Sequence, residues 1–159
     1  MSNYSDPVFG PLDDESPGLW TTKVAYGSRE LQADLNIDGD IDVKQLTQVT
    51  EKLADLAALE AKARAAMVAD CAKKKSSVAQ YRTFCEGVSE DTLEPDNPAP
   101  KEDIATFLQR CMFKRIALYP ECPSHCLILD FAIQDGSTDH MLVISMNGQS
   151  EVVGVDLQS

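Results

Sequence analysis

The chain has 159 residues, 43% hydrophobic and 25% charged, which suits one globular domain and excludes a chain disordered throughout. Fourteen Lys and Arg face 26 Asp and Glu, for a net charge of −12 at pH 7. That sign opposes nucleic-acid phosphates and anionic membranes, and it favours a basic protein partner, because opposite fields speed encounter.

Residues 1–18 carry Pro7, Gly10, Pro11, Pro17 and Gly18 around the acidic Asp13-Asp14-Glu15. They read as an irregular arm, pinned to the body by Phe9 and Leu12, ahead of a single domain over residues 19–159. Trp20 to Tyr26 reads as a strand and Gly27-Ser28 as a turn. From Glu30 to Ile37 the sequence alternates, with Leu31, Ala33, Leu35 and Ile37 on one face. Period two marks a half-buried strand, and the two runs make a hairpin.

The period changes after Asp38-Gly39-Asp40. Asp42 is suited to cap a helix starting near Val43. Leu46, Val49, Leu53 and Leu56 recur at three and four, and Ala-rich sequence continues to Cys71 with a bend expected near residue 57. Lys73-Lys74-Lys75 closes that run, and a further helix holds Val78, Tyr81, Phe84 and Cys85. Residues 89–100 read as a Pro-rich loop. A short helix follows, with Ile104, Phe107, Leu108 and Cys111 on its apolar face.

The last part is β in character, with strands expected at Arg115–Tyr119, Cys126–Gln134, Met141–Met146 and Glu151–Leu157. Turn chemistry at Gln134-Asp135-Gly136-Ser137 and Asn147-Gly148-Gln149 separates three of them. The expected fold class is α+β: an antiparallel sheet, made of an N-terminal hairpin and a C-terminal four-stranded meander, packed against three to four helices.

The five cysteines, Cys71, Cys85, Cys111, Cys122 and Cys126, are odd in number and irregularly spaced. Met1 leads into Ser2-Asn3-Tyr4-Ser5-Asp6-Pro7 without the features of a signal peptide. No apolar run approaches the roughly 20 residues of a membrane helix. A cytoplasmic protein with free, mostly buried thiols is expected.

Three motifs bear on chemistry. Asp34 to Gln45 resembles a calcium loop, with Asp34, Asn36, Asp38, Asp40 and Asp42 as candidate oxygen donors and Gly39 at the sharp turn. Against it stand Gln45 where a bidentate carboxylate belongs, Ile37 inside the loop, and a strand pattern where an entering helix is needed. The same residues equally make a strand end, a turn and a helix cap. Cys122-Pro123-Ser124-His125-Cys126, with His140 elsewhere, has zinc-ligand chemistry, but the spacing matches no common knuckle and no fourth ligand is obvious. The alternative is a hairpin loop with an exposed His and a core-facing Cys. A Cys126 nucleophile would need a base and an oxyanion donor, and His125 adjoins it too closely to serve. No phosphate loop or nucleophile elbow occurs. Binding without catalysis, with no cofactor and no resident metal, is therefore expected.

Phe9-Gly10-Pro11-Leu12, Trp20 opening a strand, Leu35-Asn36-Ile37 entering a helix with Leu46, Leu53 and Leu56, and the Ala63–Met67 run form one pattern. Arg115-Ile116-Ala117-Leu118-Tyr119-Pro120, Leu129-Asp130-Phe131-Ala132-Ile133, Met141-Leu142-Val143-Ile144 and the terminal strand extend it. It resembles a family of small acidic bacterial α+β proteins, some encoded as immunity proteins beside secreted toxins. The resemblance implies an immunity protein, or antitoxin, that neutralises a cognate, basic toxin by direct binding. Asp38, Asp40 and Asp42, with Asp135 and Asp139, are then the candidate partner-binding residues. A secretion chaperone for an effector and a calcium-binding regulatory module are the alternatives.

Overall fold

Alternating residues pair into a six-stranded sheet in the computed structural model, which describes residues 4–6, 8–12, 18–37, 42–85, 104–133 and 140–158. Strands β1 (Tyr4–Asp6) and β2 (Gly10–Leu12) form a small separate hairpin. The main sheet runs in the order β3 (Leu19–Tyr26), β4 (Arg29–Asn36), β5 (Cys111–Leu118), β6 (Leu127–Ile133), β7 (Met141–Met146) and β8 (Val152–Gln158). Neighbours are antiparallel except β4 and β5, which run parallel, with Ala33 opposite Ile116 and Leu35 opposite Leu118.

The α+β class therefore stands, but the antiparallel sheet expected from the sequence is corrected to a mixed one. Its hairpin and meander are not separate units. A parallel join needs a long crossover connection, and the helical segment between β4 and β5 supplies it. Helix α1 (Val43–Thr50) is capped by Asp42, whose Oδ1 accepts from the N–H groups of Lys44 and Gln45 at 3.0 and 3.2 Å. It passes through a 3-10 turn (Glu51–Asp55) straight into α2 (Leu56–Asp70), and α3 (Ser77–Cys85) and α4 (Ile104–Arg110) follow. Among the described residues this makes three helical bodies, not three to four, because the bend near residue 57 is a tightened turn inside one continuous path.

One sheet face meets these helices. Leu46, Leu53, Leu56 and Met67 join Leu35, Ile116 and Leu129 in the buried cluster, and Phe113 stacks on Phe131 with ring centroids 5.1 Å apart. Arg64 of α2 fastens the layers. It pairs with Glu60 at 2.6 Å, donates to the carbonyls of Leu108 and Cys111 at 2.7 Å each, and lies over the Phe131 ring. Buried Asp70 accepts from Ser76 Oγ at 2.9 Å and from the Val78 N–H at 3.0 Å, which holds the start of α3. Tyr81 Oη accepts the Ile133 N–H at 2.9 Å, which ties α3 to the end of β6.

Two further expectations are corrected. Strand β5 begins at Cys111, upstream of Arg115, and a register shift between Phe113 and Arg115 changes which residues face the core. The arm is not irregular where it is described. Asp6 Oδ2 accepts from the N–H groups of Val8 and Phe9 at 2.8 and 2.9 Å, closing the turn between β1 and β2, and Leu12 is buried in the core cluster. Gly18 extends the β3–β4 ladder, its carbonyl accepting the Ile37 N–H at 2.8 Å. A Cβ at Gly18 would lie 1.7 Å from the Ile37 carbonyl oxygen, so the close approach requires glycine. The loop at 89–100 and the turns at 38–40 and 134–137 lie outside the described residues. No helix among the described residues is long and apolar enough to cross a membrane.

Candidate functional site

Alternation leaves a second sheet face. Ladder partners place Asp34 of β4 opposite Ala117, Arg115 opposite Asp130, Ala117 opposite Ile128, Ile128 opposite Ser145, and Asp130 opposite Val143. Ala117 and Val143 are buried yet lie outside the main core cluster, which makes the middle of this face a second, smaller buried zone.

An ionic cluster sits on it. Arg115 Nε donates to Asp130 Oδ2 at 2.8 Å, one terminal nitrogen reaches the same oxygen at 2.7 Å, and the other lies 3.3 Å from Asp34 Oδ2. Gln32 Nε2 donates to Asp34 from the side, at 3.0 Å to Oδ1. The Asp34 and Asp130 side chains are 8% and 5% exposed, against 42% for Arg115. Two buried carboxylates thus share one half-exposed guanidinium. Burial pushes the Asp130 carboxyl above its ordinary value; Arg115 opposes that rise and Asp34 adds to it.

A cavity of about 340 Å³ opens beside the cluster, with Arg115, Asp130, Ser145 and Gln158 as polar lining and Ile128, Met141 and Val143 as apolar lining. Tyr119, Cys122 and His125, from the β5–β6 connection, complete it. That connection is held by backbone bonds: the Tyr119 N–H donates to Cys126 O at 2.8 Å, the His125 N–H to Cys122 O at 3.0 Å, and the Gly148 N–H to Pro123 O at 3.1 Å. A smaller hollow of about 260 Å³ shares Arg115, Asp130 and Met141 and adds Gln32 and Lys114.

Among the described residues, those singled out from the sequence, Asp34 excepted, are not part of this cluster. Asp38, Asp40, Asp135 and Asp139 lie outside the described residues. Asn36 ends β4 and Ile133 ends β6 at opposite ends of the sheet. Asp42 is occupied as a helix cap. Asp34 is held by Arg115 and Gln32, and it and Asn36 belong to a strand where a calcium loop requires an entering helix. Cys126 is buried in the core, where desolvation raises its thiol, whereas Cys122 and His125 are exposed. His125 and His140 adjoin opposite ends of the β6–β7 ladder. Among the described residues no three His, Cys, Asp or Glu side chains are grouped to hold a metal.

Arg115, Asp130, Tyr119 and Ser145 escaped the sequence reading. A signal existed for one of them: Asp130 is the single charge in the otherwise apolar Leu127–Ile133 run. Comparison with protein-family models, with curated proteins and with solved structures gives no match to this chain.

Proposed function

We propose that this protein acts by binding a basic protein partner through the sheet face opposite its helices, as an immunity protein that neutralises a cognate toxin. The observation that carries the reading is the Asp34–Arg115–Asp130 cluster beside its cavity. It is a built, partly desolvated polar site with an excess of one negative charge, on the face opposite the one that packs against the described helices. The net charge of −12 favours rapid capture of a cationic partner. Catalysis has less support, since Cys126 is sequestered and His125 Nδ1 lies 3.1 Å from Ser124 Oγ, within its own turn. The chaperone reading needs a broad apolar surface for an unfolded client. The large exposed hydrophobics, Leu19, Val43, Val68 and Val153, instead lie singly on β3, α1, α2 and β8.

The test is co-purification with the product of the neighbouring gene. A complex that survives washing and weakens steeply with salt supports the proposal. Retention no tighter than that of an unrelated basic protein overturns it.

A further inference from the structure

Three of the cavity's polar groups have acceptor capacity left over among the described residues. Both bonds from Arg115 to Asp130 fall on Oδ2, so Oδ1 accepts none among the described residues, although the side chain is only 5% exposed. Ser145 Oγ, on a residue 7% exposed, and Tyr119 Oη make no hydrogen bonds among the described residues, and both residues line the same cavity. The Asp130 carboxylate, open to the cavity beside two hydroxyls that can also accept, suits a ligand rich in donors. Ile128, Met141 and Val143 meanwhile offer an apolar wall for an alkyl stem.

We propose that this cavity receives one arginine side chain of a basic protein partner, its guanidinium donating to Asp130 Oδ1 and its methylenes lying on Ile128, Met141 and Val143. The proposal rests on the binding function above and adds what that function recognises. Arginine fits better than lysine because a planar fork of donors can serve the carboxylate and a neighbouring acceptor together, whereas an ammonium is a compact, strongly hydrated point charge. The incoming cation turns a cluster of two acids and one base into two and two. An anion would instead have to draw Arg115 away from the two carboxylates it already bridges. A purely apolar group would bury Asp130 Oδ1 with no donor.

The test uses the full chain with methyl-labelled Ile, Val and Met, titrated with N-acetyl-arginine amide, N-acetyl-lysine amide, N-acetyl-norleucine amide and N-acetyl-glutamate amide. Saturable shifts at Ile128, Met141 and Val143, strongest with the arginine probe and weakened by about tenfold or more in Asp130→Asn, are expected. Should Asp130→Asn fail to fold, the ranking of the four probes on the wild type decides alone. Equal shifts with norleucine, stronger shifts with glutamate, or shifts that avoid these three residues overturn the proposal. Because the probes are single residues, their failure beside a partner that still co-purifies removes the arginine pocket and leaves the binding function standing.

Discussion

Arg115→Ala would leave Asp34 and Asp130 facing each other on the sheet with no cation between them. Removing one member of a fully buried ion pair costs about 3–5 kcal/mol, because the other charge is stranded. Arg115 is 42% exposed, so water already screens part of its effect, and the expected cost near neutral pH is about 2 kcal/mol. The sign with pH follows from Asp130. Its folded carboxyl titrates above the ordinary 3.8, so the native state takes up the proton first. Its charge therefore lowers stability as pH rises through the window from that ordinary value up to the raised one. Without Arg115 the window widens, and the deficit is greatest near neutral pH and shrinks as pH falls and Asp130 is protonated. Adding Asp130→Asn to Arg115→Ala should recover much of the loss, since it removes one of the two facing charges. Urea unfolding followed by the single tryptophan, Trp20, half-buried on edge strand β3, measures each variant at about pH 7 and about pH 4.5. A deficit under about 0.5 kcal/mol, or one that does not change with pH, would refute the reasoning.

Other substitutions probe the scaffold. Gly18→Ala forces a Cβ into the Ile37 carbonyl; a loss of about 2 kcal/mol or more is expected, together with faster proteolysis of the arm, and unchanged stability would show that the close approach is not required. Arg64→Lys should destabilise by about 2 kcal/mol, because an ammonium cannot serve Glu60 and the carbonyls of Leu108 and Cys111 together; thermal unfolding reads this directly. Asp70→Ala, which leaves Ser76 Oγ and the Val78 N–H without their acceptor, should cost about 1–2 kcal/mol, with amide exchange accelerated first in α3. Under native conditions a thiol reagent should modify the exposed Cys122 well before the buried Cys111 and Cys126; rapid loss of all five thiols in the native state would contradict the burial described.

Much of the fold was legible where one periodicity ran unbroken. The alternation from Leu31 to Leu35 became β4, the three-and-four spacing from Leu46 to Met67 became α1 and α2, and Asp42 caps where its side-chain chemistry suits it. Legibility failed where parity changed. The shift between Phe113 and Arg115 puts Cys111 and Phe113 on the same face as Ile116 and Leu118. A period-two reading stops there, and Cys111, at helical spacing from Ile104, looked like the end of a helix. The parallel pairing of β4 with β5 leaves no local mark, since it depends on how the helical crossover returns the chain.

The site was less legible than the fold, for a related reason. Alternation assigns Asp34 to the polar side of β4, and there it lies, whereas Asp130 shares its side of β6 with Ile128 and Ala132. The pattern says nothing of how deeply neighbouring strands bury that side. Burial of Asp130 at 4% arises from strands far apart in sequence, and so does its meeting with Arg115. The turn acids are conspicuous in the sequence, but the structure concentrates its unusual polar chemistry in mid-strand.

The central claim, that the partner is met by the sheet face opposite the helices, is tested most directly by the methyl footprint of the co-purified partner on the labelled chain. The account predicts that the signals of Ile128, Met141 and Val143 shift or broaden while that of Val68, exposed on α2, stays in place. A footprint centred on Val68 and the helices, with Val143 untouched, would contradict it.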